Sequence, residues 1–232
     1  MNSLKKEKMN LKMKTKKLTI AFEDKNLLIV DKPAKLLTIG TTKEKERTLY
    51  HEVLTYLHKK NQKAFIVNRI DKDTSGLVVF SKNEETKNKM QDNWSKVIRK
   101  YYAVCEGKIK NKGIIEEYLT EDKNLNVYAT TKDKGKLAIT KYNPLKLTST
   151  YTLLDIEILT GRKNQIRVGL SNLKHPIIGD KKYGAKSDPI RRMGLHASKL
   201  ELIHPITNEK LVLEAKIPLE FYKIFDKKTF TA

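Results

Sequence analysis

Two short apolar runs, Leu18–Phe22 and Leu27–Asp31, open the patterned part of the chain, separated by the polar residues Glu23 to Asn26. That spacing predicts a β-hairpin. Lys32-Pro33-Ala34 then breaks the strand, because proline has no N–H to donate to a ladder. Residues 48–60 place Leu49, Val53, Leu54 and Leu57 at helical spacing. Phe65–Ile70 and Leu77–Phe80 read as strands on either side of a polar turn, and residues 84–97 read as a polar helix carrying Met90 and Trp94. Val97–Cys105, Ile114–Leu119, Lys136–Tyr142 and Tyr151–Leu159 read as further strands, and Gly161–Leu173 as a helix. A loop-rich stretch from Gly179 to Met193 precedes two closing strands, Leu195–Ile203 and Lys210–Ala215, and a short helix follows Pro218. Strands in hairpin-like succession with a few interleaved helices predict an α+β fold on a mixed, mainly antiparallel sheet. No repeat or Gly/Ser linker divides the body, which is expected to form one domain over 18–232 with a sheet bent into two halves around a cleft.

Charge narrows the function classes. The chain carries 48 basic and 27 acidic residues, a net +21, so a polyanion is the first partner to consider and an anionic membrane the second. Residues 1–17 contribute seven Lys and one Glu and read as a mobile basic arm able to touch an RNA backbone. Arg is scarce at seven residues, and Arg69, Arg162 and Arg167 fall inside two motifs, where a planar fork has a use that a lysine does not serve. No apolar run reaches membrane-spanning length, and the Lys-rich start lacks the apolar stretch of a secretory signal. One cysteine, Cys105, permits no internal disulfide and suits a reducing cytoplasm. The five His show no metal-ligand spacing, so neither metal nor cofactor is expected.

The most informative segment is Val67-Asn68-Arg69-Ile70-Asp71-Lys72-Asp73-Thr74-Ser75-Gly76-Leu77. Read as strand into turn, it places Arg69 and Asp71 on one face and Ile70 on the other, toward the core. Thr74 and Ser75 can bond local backbone, and Gly76 permits a φ that other residues resist. Taken alone, the segment reads first as a hairpin turn with a surface Arg–Asp pair.

The segment resembles the His-Arg-Leu-Asp-x-x-Thr-Ser-Gly signature of the RluA/RluD-type pseudouridine synthases. Other stretches resemble that family's in the same order: Ile29 to Ala34, Tyr101 to Gly107, Gly161 to Val168, and His175 to Gly184 followed by Leu195-His196-Ala197. Together they span residues 18 to about 222. Three positions depart from the family pattern: Asn68 and Asn164 stand where it has His, and Gly169 replaces a usual His.

The resemblance implies a pseudouridine synthase fold with a central RNA-binding cleft and an enzyme that isomerises uridine within RNA. Asp71 is then the nucleophile, adding covalently at either the anomeric carbon of the sugar or ring carbon 6 of the base, and leaving again. Arg167 is its counter-ion, and Tyr101 stacks on the uracil and is also a candidate for proton removal at ring carbon 5. Arg69 fills the stack vacated by a flipped base, with a salt bridge to Asp73 or to a phosphate as the competing role. Asn68, Thr74, Ile166, Arg162 and Lys32 complete the expected substrate-binding set, with support of the fold rather than of phosphates as the alternative for Lys32, Lys72 and Arg162. On the helix, Ile166, Leu170 and Leu173 form an apolar stripe, with Lys163 and Arg167 together on another face. Large-subunit ribosomal RNA is the favoured substrate and transfer RNA the alternative, for a cytoplasmic monomer. Two rival readings stay open on the residues alone: a non-catalytic RNA-binding or ribosome-assembly factor on the same fold, and a nuclease using Asp71 and Asp73 around a metal.

Overall fold

The computed structural model describes residues 18–42 and 44–225, so the basic arm of 1–17 lies outside the described residues. Among the described residues, no helix is long and apolar enough to cross a membrane. The chain runs β1 (Thr19–Glu23), β2 (Leu27–Lys32), α1 (Leu49–His58), β3 (Phe65–Ile66), β4 (Ser75–Ser81), α2 (Glu84–Asp92) and β5 (Ile98–Glu106). It continues with β6 (Gly113–Glu121), β7 (Val127–Thr130), β8 (Lys136–Leu147) and β9 (Tyr151–Ile158). The last elements are α3 (Gln165–Asn172), β10 (Leu195–Ile203), β11 (Lys210–Glu214) and α4 (Leu219–Lys223). One sheet has the order β1-β2-β4-β10-β5-β9-β8-β6-β7, with β11 on β10 and β3 on β4. Its pairs are antiparallel apart from β4 with β10, so the fold is the expected α+β on a mixed, mainly antiparallel sheet.

The local causes are legible in the residues. The apolar runs of β2 and β4 are buried on both faces and occupy interior positions of the sheet, whereas β1 is half-exposed at its edge. Helix α1 starts where Thr48 accepts the His51 N–H, and it buries Leu49, Val53 and Leu57 at one-turn intervals. Leu54, placed on that stripe by spacing, is instead 37% exposed.

Two elements differ from expectation in ways that build the site. Residues 67–74 are a loop, not the end of a strand. One edge of β4 belongs to β2; the other is shared, with β3 holding Ser81 and Phe80 and β10 holding Ser75 and Gly76. After Val67 the ladder has no room to continue, and Asn68 Oδ1 accepts the Val79 N–H in place of a backbone carbonyl, at 2.8 Å. The chain therefore leaves the sheet carrying Asp71 outward. The helix expected from Gly161 begins only at Gln165. Asn164 adopts a left-handed φ of 54° and stops propagation toward the N-terminus, and Gln165 Oε1 accepts the Arg162 N–H at 3.0 Å. The predicted polar helix also stops early, at Asp92, and Trp94–Lys96 form a single 3₁₀ turn. Strand β7, too short and mixed to stand out in sequence, pairs with β6.

Candidate active site

The Asp71 loop is held from both sides. Thr38 donates its hydroxyl to Ile70 O at 2.6 Å, Lys32 Nζ donates to Lys72 O at 3.0 Å, and the Thr74 N–H returns to Asp71 O at 3.2 Å. Ile70 packs partly into the core between β2, β4 and α1. Fixing the carbonyls on either side of Asp71 leaves its carboxylate as the part free to face outward, 35% exposed.

Arg167 meets it from α3. Its Nη1 donates to Asp71 Oδ2 at 2.9 Å and to Asn164 Oδ1 at 3.0 Å. The rest of the fork is taken by Asp180, through Nε to Oδ2 at 2.7 Å and Nη2 to Oδ1 at 2.8 Å. Asp180 is 2% exposed in its side chain, so this bidentate pair is dry and directional. Tyr183 covers the guanidinium with its ring, 4.9 Å from centroid to Cζ, and its hydroxyl accepts from Asn164 Nδ2 at 2.9 Å. Burial pulls the Arg167 pKa down, but the bonds and charge of Asp180, then of Asp71, outweigh it and the pKa is raised.

A cavity of about 520 Å³ opens over this pair. Asp71, Tyr101, Arg167, Arg69, Asn68, Thr74, Ile166 and Arg162 all line it. Lys32 does not. It is fully buried, and its amine donates to the carbonyls of Pro33, Leu36 and Lys72, so it supports the Asp71 loop from behind and is closed to a substrate. Asn68, although it lines the cavity, spends its side-chain oxygen on Val79 and secures the loop. Arg69 is exposed and forms no ion pair with Asp73 among the described residues. Tyr101 packs against the core cluster that contains Ile166, and burial pushes its phenol up to about 12. Arg162 donates through Nε to Leu137 O at 2.9 Å. Lys163 precedes the helix and pairs with Glu121, so it does not share a face with Arg167, and Leu173 is 39% exposed rather than part of an apolar stripe. A second cavity of about 620 Å³, beside the end of α2 and β10, contains none of these residues.

Asp180, Tyr183 and Thr38 are site residues that sequence reasoning passed over. Asp180 was visible as an acid after a glycine in a loop, but nothing in the chain says which cation an isolated acid will meet. Arg192 was missed as well. Its Nη2 donates to Ser75 Oγ at 2.6 Å, and Ser75 Oγ lies 2.7 Å from His196 Nδ1 across the join of β4 and β10. Burial, with Arg192 nearby, lowers His196 to about 4, so the ring is neutral and Nδ1 is free to accept the serine proton.

The family described as RNA pseudouridylate synthase matches residues 26–172. An uncharacterised RNA pseudouridine synthase of Bacillus subtilis is 34% identical over 211 residues, covering 88% of this chain and 70% of the relative. A ribosomal large subunit pseudouridine synthase C of Rickettsia typhi is 35% identical over 221 residues, covering 91% and 72%. A tRNA pseudouridine synthase C of Vibrio parahaemolyticus is 30% identical over 233 residues, covering 90% and 94%. The solved structure of human RNA pseudouridylate synthase domain containing 4 shares the fold, with a TM-score of 0.72 at 24% identity over 88% of this chain and 90% of its own. With a family match over most of its length and relatives above 30% identity, the chain belongs to the RluA-type RNA pseudouridine synthases, which are isomerases.

Proposed function

We propose that Asp71 is the nucleophile, with Arg167 holding it ionised and aimed at a uridine flipped out of structured RNA. The observation that carries this reading is the asymmetric grip on Arg167. Asp180 saturates two of its nitrogens and leaves Nη1 directed at a carboxylate that stays open to the cavity. A carboxylate oxygen of Asp71 adds to the target nucleoside as the bond between uracil and ribose breaks. The base turns and its carbon 5 bonds to the ribose as Asp71 leaves; carbon 5 then gives up its proton to water, and N1, freed from the sugar, takes one up. No redox partner or phosphoryl donor enters that balance.

Tyr101 lines the same cavity and stacks on the base. Burial pushes its phenol up to about 12, so at cellular pH it is neutral and can donate a hydrogen bond to the base. Arg69, exposed at the mouth and without an ion pair among the described residues, fills the place the flipped base leaves. Thr74, Ile166 and Arg162 shape the wall around the nucleotide. The basic N-terminal arm at 1–17 adds backbone contacts outside the catalytic domain.

The target we infer is large-subunit ribosomal RNA, a choice supported by relatives named for that substrate in Rickettsia typhi and Pasteurella multocida. The setting is the cytoplasm, where the single thiol, Cys105, is buried and pushed up to about 12. Pseudouridine mapping across total RNA, from cells with and without the gene, tests the reading. The expected result is loss at a large-subunit position, restored by the wild-type gene and not by Asp71→Asn. Loss confined to transfer RNA would overturn the choice of substrate. An unchanged map would overturn the catalytic reading in favour of an RNA-binding or assembly factor.

A further inference from the structure

Arg99 sits on β5 two residues before Tyr101, so the two side chains leave the same face of the strand. It is only 5% exposed, yet it lines the active-site cavity. Its Nε donates to Val97 O at 3.2 Å. Neither terminal amino group has an acceptor among the described residues, and no carboxylate pairs with it there. Every other arginine so deeply placed around this site has an acid: Arg167 has Asp71 and Asp180, and Arg192 has Glu220. Tyr101, the one titratable neighbour of Arg99, stays neutral and does not balance the charge.

A largely buried cation without an anion is costly to fold, because most of its hydration is lost and one backbone carbonyl replaces only part of it. The chain nevertheless leaves the approach to it open. A Cβ built on Gly161 would stand 2.8 Å from Arg99 Nη1, and Gly161 itself lines the cavity, so the absence of a side chain there exposes the end of the fork. The exposed cavity residues around it, Arg69, Lys72 and Arg162, are also basic. A base carbonyl would occupy the amino groups but bring no charge. A phosphodiester brings a fixed negative charge and two oxygens at the spacing of the guanidinium fork.

We propose that Arg99 is a phosphate-binding residue of the cleft, taking between its two free amino groups the phosphodiester next to the nucleotide that Asp71 engages. The proposal rests on the reading of the Asp71 cavity as the place where the RNA strand enters. It gives the cleft an anchor deeper than the surface lysines, one that fixes the strand relative to Asp71 and Tyr101 whatever the neighbouring bases are.

The test uses Arg99→Met in the full chain, with Asp71→Asn also present so that bound RNA is not turned over. Unmodified transcripts of large-subunit ribosomal RNA and of a transfer RNA are titrated across a range of potassium chloride. Loss of one phosphate contact lowers the slope of log affinity against log salt by roughly 1 and weakens binding. Because an unbalanced buried charge is removed, the variant also melts no lower than its parent. An unchanged slope, or weaker binding that merely follows a lower melting temperature, would make Arg99 structural and overturn the proposal. If the methionine variant does not fold, Gly161→Ala serves instead. It crowds Nη1 without removing charge, and an unaltered salt slope there overturns the proposal equally. Inorganic phosphate that raises the melting temperature of the wild type alone, with RNA slopes unchanged, would identify a free-anion site and refute the RNA assignment. Pseudouridine formation by the wild type is measured in parallel. If it is absent while the slope change holds, the Asp71 reading fails and the Arg99 site stands.

Discussion

Arg167 is gripped by two carboxylates of unequal burial, and replacing each by asparagine separates chemistry from holding. Asp71 is 35% exposed in its side chain, Asp180 2% and Arg167 13%. A pair with a partner as open as Asp71 is screened by water and contributes at most about 1 kcal/mol. Asp180 makes two charge-assisted bonds in a dry setting, and removing one partner from such a pair costs about 3–5 kcal/mol. Asparagine keeps one acceptor oxygen, so Asp180→Asn belongs at the lower end, about 3 kcal/mol. In a chain of this size each kcal/mol moves the melting temperature by about 2–4 °C. Asp180→Asn is therefore expected to melt about 6–12 °C below wild type, and Asp71→Asn within about 4 °C of it. Activity separates them the other way. With RNA from cells lacking the gene as substrate, Asp71→Asn binds but forms no pseudouridine. Asp180→Asn, assayed below its melting temperature, retains chemistry slowed by about 100-fold as the Arg167 fork loses its orientation. The reasoning is refuted if Asp71→Asn melts as low as Asp180→Asn, or if Asp180→Asn keeps both its melting temperature and its rate.

Lys32 gives a pH signature. Burial pushes its amine down to about 7, against 10.5 for an ordinary lysine. Between those values the unfolded chain binds more protons than the folded one, so this group makes stability rise with pH across that window. Thermal melts at successive pH values should lose this rising component in Lys32→Met, and an identical profile in the variant would count against it. Gly76 holds φ at +114°, and a Cβ there would stand 2.2 Å from Ala197 O. Gly76→Ala is expected to cost about 4 kcal/mol or more and to give little soluble protein; a variant that expresses and melts normally would mean that β4 and β10 do not meet as described.

Much of the framework could be read from local signals, because those signals are local causes. The runs Leu27–Asp31 and Leu77–Phe80 are buried strands, and Thr48 caps the helix that Leu49, Val53 and Leu57 bury. Residues 67–70 read as strand but are loop, because the chain's departure is decided by β10, which takes the second edge of β4 through His196 and Ala197. Nothing within residues 67–74 encodes that competition. Lys32 was misplaced for a related reason: one lysine among so many carries no mark of burial. Its role depends on three carbonyls, one of them 40 residues away at Lys72. Arg167 was found through its motif, whereas Asp180 was not assigned to it, since an ion pair between loop and helix leaves no spacing to detect.

The parallel join of β4 to β10 consists of His196 opposite Ser75 and Ala197 opposite Gly76. Asp71 belongs to the chain on one side of that join and Arg167 to the chain on the other, 96 residues later. Each part of the sheet contributes only one member of the Asp71–Arg167 ion pair. The ion pair therefore depends on the join being closed. Opening that join would separate Asp71 from Arg167 while leaving the lysine-rich surface in place. On the roles proposed for Asp71 and Arg167, holding RNA and modifying it are then separable properties, and the amount of protein bound to RNA is not a measure of the amount able to act.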